Sequence, residues 1–190
     1  MSYIAIIVGA ILINNIVLVQ FLGICPFLGV SSRISTAVGM SFAVLFVMTL
    51  ATLSTHLLYH SVLLPAGLDY LQTVSFILVI ASLVQLVEIV LKKVSPALHQ
   101  ALGVFLPLIT TNCAILGVAI LVIQREYTLM EGLAFSVASA IGFALALIVF
   151  AGIRERLAMA DVPARLKGAP ISLITAGLLA MAFMGFAGLM

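Results

Sequence analysis

Six apolar runs, each long enough to cross a lipid bilayer, take up most of the 190 residues. A helical span needs about 20 mostly apolar residues. The runs cover roughly residues 3–31, 34–58, 70–91, 98–124, 129–153 and 170–189, and the first and fourth are interrupted by Gly, Pro and polar residues. Strands of a membrane barrel would be about 10 residues long and alternate in polarity. These runs are longer and apolar all round, so the expected fold class is an all-α integral membrane protein with six transmembrane helices. Only 7% of residues are charged, against about 25% in soluble domains, too few to cover a water-facing surface. The N-terminal stretch MSYIAIIVGAILINN has no basic region and no small-residue cleavage site, so no signal peptide is expected. A single transmembrane domain over 1–190 is expected, with no soluble domain attached.

Placement of Lys and Arg sets orientation. One set of loops holds Arg33, Lys92, Lys93, Arg154, Arg156, Arg165 and Lys167, and the other holds Arg125 alone. The first set is therefore expected in the cytoplasm, with both termini outside, periplasmic in a bacterial inner membrane. The loop RERLAMADVPARLKGAP is basic and amphipathic. It either fixes topology or docks a cytoplasmic partner. The net charge of +2 is small and its sign carries no information about nucleic acid; no nucleic-acid partner is expected.

The chain also repeats itself. Cys25-Pro-Phe-Leu28-Gly29 and Cys113-Ala-Ile-Leu116-Gly117 share the pattern Cys-x-x-Leu-Gly, and these are the only two cysteines. Gly39-Met-Ser-Phe-Ala-Val44 and Gly132-Leu-Ala-Phe-Ser-Val137 match in the same order. Repeat 1 would cover about 1–93 and repeat 2 about 94–190, each with three spans. An odd number of spans per repeat turns the second copy upside down, the inverted-repeat architecture of many transporters.

Depth follows from spacing. Arg33 comes eight residues after Cys25, about 12 Å of helix. Arg125 comes twelve residues after Cys113, about 18 Å. Half the hydrocarbon core is about 15 Å, so both cysteines are expected near the midplane. Pro26 disfavours helix at Cys25, with Gly23 and Gly29 on either side. In the second copy, Pro107 and Thr110-Thr111-Asn112 precede Cys113. Paired breaks in matching halves point to a binding site between the repeats. The plain alternative is cysteine as a small apolar filler.

A disulfide is not suggested, because exchange needs an accessible thiolate. Zinc wants four ligands, and His56, His60 and His99 lie near span ends, away from the cysteines. Iron–sulfur clusters commonly take four thiolates. Two cysteines are half that set, so the remainder would come from a second subunit, most simply a paralogue of opposite orientation.

On the segments GICPFLGVS and TTNCAILGVA, with its length and six spans, the chain closely resembles the A-type membrane subunits of Rnf electron-transport complexes. More distantly it is similar to the E subunit of the sodium-translocating NADH:quinone reductase. The resemblance implies that Cys25 and Cys113 ligate a 2Fe–2S cluster shared with a homologous six-span subunit of opposite topology, of the Rnf E type. It also implies partners of the B, C, D and G types. The complex would move electrons between ferredoxin and NAD, coupled to Na⁺ or H⁺ transport, and this chain would carry electrons across the membrane without being catalytic alone. A free-standing inverted-repeat transporter is the alternative from another class, and a purely structural assembly protein is a third.

Around the ligands, Gly23, Gly29 and Gly117 are expected to turn sharply and admit close backbone approach. Pro26, Leu28 and Leu116 complete the segments beside the cluster. Asn112 either donates to sulfur, tuning the potential, or bonds across helices. Asn14 and Asn15 are expected to bond between helices. Glu88 is either a functional intramembrane carboxylate or pairs with Lys92. Glu131 is expected at the interface.

Overall fold

The structure, a computed structural model, describes residues 3–94, 106–161, 163 and 166–185. His99, Arg165, residues 98–105 of the fourth run and the end of the sixth lie outside them. Among the described residues all regular structure is helical. Helix α1 starts at Tyr3–Val8 and widens into a π-helical turn at Gly9–Ile13. Short α2 spans Ile24–Gly29. Helix α3 runs over Ile34–Ala66, with a π-helical turn at Tyr59–Leu63. Then come α4 (Gln72–Val94), α5 (Leu106–Thr110), α6 (Cys113–Gln124), α7 (Leu129–Ala158) and α8 (Ala169–Met184).

Among the described residues, four units are long and apolar enough to cross a membrane: α3, α4, the broken pair α5–α6, and α7. Helices α1 and α8 are shorter apolar helices. Two boundaries differ from the sequence reading. Helix α3 continues past residue 58 to Ala66 because its polar residues are paired within the fold. His56 Nε2 donates to the Tyr127 carbonyl at 3.2 Å, and His60 Nδ1 donates to the His56 carbonyl at 3.2 Å. The two rings stack at 4.4 Å. His56 is thus buried, not an interfacial side chain at a span end. Helix α7 continues past residue 153 because Arg154 and Glu155 have partners on other helices, described below.

Helices α3 and α7 form the most extensive helix pair. In lipid, apolar burial gives little drive, so close packing and hydrogen bonds hold helices together. Helix α7 is built for this: the small residues Ala138, Ser139, Ala140, Gly142, Ala146 and Ala151 are all buried. On α3, Ser41, Thr52 and Thr55 donate their hydroxyls to carbonyls four residues back at 2.7–2.9 Å. That satisfies each hydroxyl where water is absent. Helix α7 starts at a reciprocal cap: Thr128 accepts from the Glu131 amide, and Glu131 accepts from the Thr128 amide, two terminal donors satisfied at once.

Between α1 and α2 the backbone is unwound, and Asn15 makes that tolerable. It is fully buried. Its Nδ2 donates to Gly142 O at 2.8 Å and Ile11 O at 3.2 Å, and its Oδ1 accepts from Val17 N at 3.1 Å. Bare backbone within a membrane needs such internal partners. Gly142 on α7 is pressed against this turn, with a Cβ there 3.2 Å from the Ala10 and Ile11 carbonyl oxygens. Asn15 therefore bonds between helices as expected. Asn14 does not: its side chain is exposed and makes no hydrogen bond among the described residues.

A candidate two-cysteine site at the helix breaks

Each cysteine opens a helix. Cys25 is the second residue of α2, after a break that ends at Gly23, and Cys113 is the first residue of α6, after a break at Thr111-Asn112. The expectation that Pro26 interrupts helix at Cys25 is corrected here. Pro26 sits in the first turn of α2, where its missing N–H would have had no partner in any case. The break itself is made by Gly23, whose φ of 80° is left-handed and favours glycine. Phe21 takes φ 55° just before it, unusual for a bulky residue.

The two breaks meet. The Gly23 amide donates to Cys113 Sγ at 2.9 Å across 90 residues of chain. A Cβ on Gly23 would lie 2.9 Å from Phe143 Cε2, 3.1 Å from Ala114 Cβ and 3.2 Å from Asn112 Oδ1. Only glycine fits both the turn and the space. Gly29 and Gly117 act differently from the sequence expectation, since neither has positive φ. Gly117 makes room for Leu22, whereas a Cβ on Gly29 would meet Leu108 only at ordinary contact distance. Leu28 and Leu116 are half-buried against the core.

Both thiols are free; Cys25 is exposed and Cys113 partly so. Each stands in a first helical turn. Asn112 caps α6 by accepting the Ala114 amide at 3.0 Å. No three His, Cys, Asp or Glu side chains gather into a metal site among the described residues. The pair on this chain fits half of a four-thiolate set, with an accessible sulfur at the chain's surface.

Helix α7 holds the Cys25 hairpin from the other side. Arg154 Nη1 donates to the Leu28 carbonyl at 2.7 Å and to Ser31 Oγ at 2.6 Å. A cation on the closing carbonyls of α2 is favourable. Phe27 stacks on Phe150, with ring centroids 4.2 Å apart. Glu155 accepts from the Ile34 amide at the start of α3 at 3.1 Å, an anion at a helix N-terminus. In the sequence Arg154 reads as a topology charge or as part of a docking loop. The adjacent Arg154-Glu155 pair at the end of an apolar run is the one signal of a further role. Elsewhere, no ion pair joins Glu88 to Lys92 among the described residues; joining two long side chains gains little for its entropy cost.

The chain matches the family described as "Rnf-Nqr subunit, membrane protein" over residues 3–190. It is 60% identical over 184 residues to the A-type subunit of the ion-translocating oxidoreductase complex of Syntrophotalea carbinolica, covering 97% of this chain and 95% of that one. It is 58% identical over 189 residues to the A-type subunit of the Na⁺-translocating ferredoxin:NAD⁺ oxidoreductase complex of Acetobacterium woodii, covering 100% and 98%. The corresponding ion-translocating oxidoreductase protein of Pseudoalteromonas atlantica is 57% identical over 188 residues, covering 99% and 97%. The chain belongs to the Rnf-Nqr family of membrane subunits.

Proposed function

We propose that this chain is the A-type membrane subunit of an ion-translocating ferredoxin:NAD⁺ oxidoreductase complex. In it, Cys25 and Cys113 supply two of the four ligands of a 2Fe–2S centre, and a homologous six-span subunit of opposite topology supplies the other two. The observation that carries the reading is the Gly23–Cys113 hydrogen bond, which joins the two cysteine-bearing breaks. Bound there, a 2Fe–2S centre would supply a one-electron relay within the membrane. The chain's residues then have defined tasks. Gly23 donates to one ligand sulfur and sets the turn that leads to the other. Arg154 and the Phe27–Phe150 stack fix α2 and so Cys25. Asn112 starts the helix that carries Cys113. The complex couples electron transfer to Na⁺ or H⁺ transport and sits in the bacterial inner membrane, with both termini of this chain outside.

The six-span inverted repeat belongs to the same proposal. Its support is the pairing of helices: α3 packs on α7, α3 also packs on α6, and α1 packs on α7. Exchanging the two halves of the chain returns the α3–α7 pair to itself and interchanges the other two contacts. The test is spectroscopic. The purified wild-type complex is expected to give acid-labile sulfide and a 2Fe–2S EPR signal that is lost with Cys25→Ala or Cys113→Ala. Assembled variants that keep that signal and full electron transfer overturn the reading.

A further inference from the structure

A groove of about 530 Å³ runs between α1 and the start of α7, a size within the range of small-molecule sites. Its α1 wall includes the small residues Ala5, Gly9 and Ala10, the last two in the π-helical turn, and such turns recur at functional sites. A Cβ on Gly9 would meet nothing within 4 Å. Three hydrogen-bond donors, Asn14, Arg125 and Tyr127, line this otherwise apolar groove. The Asn14 carboxamide is exposed and unpartnered among the described residues. Tyr127 Oη accepts from Arg125 Nη1 at 3.4 Å, so its own hydrogen is left to donate.

An arginine at the end of a span ordinarily carries its head to water. Arg125 instead sits over the Phe135 ring, 5.3 Å from its centroid. Phe135 comes six residues after Leu129, the first residue of α7, about 9 Å of helix. No carboxylate answers this charge in the groove. Glu131 is engaged with the Thr128 amide and hydroxyl, and neither it nor Glu126 lines the groove. A cation there would be repelled by the guanidinium, whereas an anion gains a charge-assisted hydrogen bond. Ile4, Ile7 and Val8 beside the groove are exposed, so α1 lies at the periphery of the chain.

We propose that this groove holds an anionic phospholipid, with its phosphate on Arg125, Tyr127 and Asn14 and an acyl chain along the small-residue wall of α1. Basic pockets between membrane helices take lipid headgroups in this way. A free phosphate ion would satisfy the donors and leave the apolar wall uncovered, so lipid is the favoured source. The inference is independent of the two cysteines.

The test uses the purified membrane complex, stripped of lipid by detergent washing and then incubated with phosphatidylglycerol, phosphatidylcholine or inorganic phosphate. Native mass spectrometry counts the molecules retained. Arg125→Gln removes the charge, and Gly9→Leu fills the groove while leaving Arg125 in place. The expected result is one phosphatidylglycerol fewer in each variant than in the wild type, with phosphatidylcholine counts unchanged by either substitution. A wild-type phosphatidylglycerol count in either variant overturns the proposal. So does a bound phosphate ion that survives phosphatidylglycerol and is lost in Arg125→Gln, or a map of the complex in which a neighbouring subunit fills the groove. If Arg125→Gln does not assemble, Gly9→Leu decides on the same count.

Discussion

Replacing Gly23 with alanine is expected to uncouple the two helix breaks. The penalty has two parts. Gly23 has φ 80°, and a left-handed conformation costs an L-residue about 1–2 kcal/mol. The added Cβ would then sit 2.9 Å from Phe143 Cε2 and 3.1 Å from Ala114 Cβ, both on rigid, buried positions. Overpacking of this kind costs about 1–3 kcal/mol, giving about 2–5 kcal/mol together. Relief by backbone movement would pull the Gly23 amide away from Cys113 Sγ. The assay is the thermal midpoint of the detergent-purified complex, with iron content measured in parallel. Gly9→Ala is the control, because a Cβ there meets nothing within 4 Å. Gly117→Ala is expected to fall between the two, since the atom it meets is the mobile end of Leu22. A Gly23→Ala protein as stable as Gly9→Ala, with full iron content, refutes the reasoning.

Arg154→Ala removes a charged donor from the Leu28 carbonyl and Ser31, a loss of about 1.5–3 kcal/mol; Arg154→Lys is expected to recover part of it in the same thermal assay. Asn15→Ala leaves at least one buried group of the unwound segment unpaired, costing about 1–3 kcal/mol and visible as faster proteolysis near residues 14–23. Thr128→Ala breaks the cap of α7 at a cost of about 1 kcal/mol, whereas Thr128→Ser keeps thermal stability close to wild type.

Much of the architecture is legible in the sequence because lipid imposes simple constraints. Apolar length reports spans, which is why α4 and α7 fall close to the expected runs. The repeated Cys-x-x-Leu-Gly pattern marks both breaks, because each copy begins just after one of them. The finer placement is not legible. Pro26 reads as a breaker from local sterics, but its position in the first turn of α2 removes the conflict. The run-on of α3 depends on His56 reaching the Tyr127 carbonyl, 71 residues away. Arg154 reaches Leu28 across 126 residues, and Gly117 matters through Leu22. Such contacts are set by tertiary packing, which spacing along one chain does not encode.

The measurement closest to the central claim is a density map of the assembled membrane complex at Cys25 and Cys113. The account predicts compact metal density bonded to both sulfurs and to two cysteines of a neighbouring protein in the complex. Sulfurs that face only lipid or apolar side chains, with no metal between the chains, would contradict it.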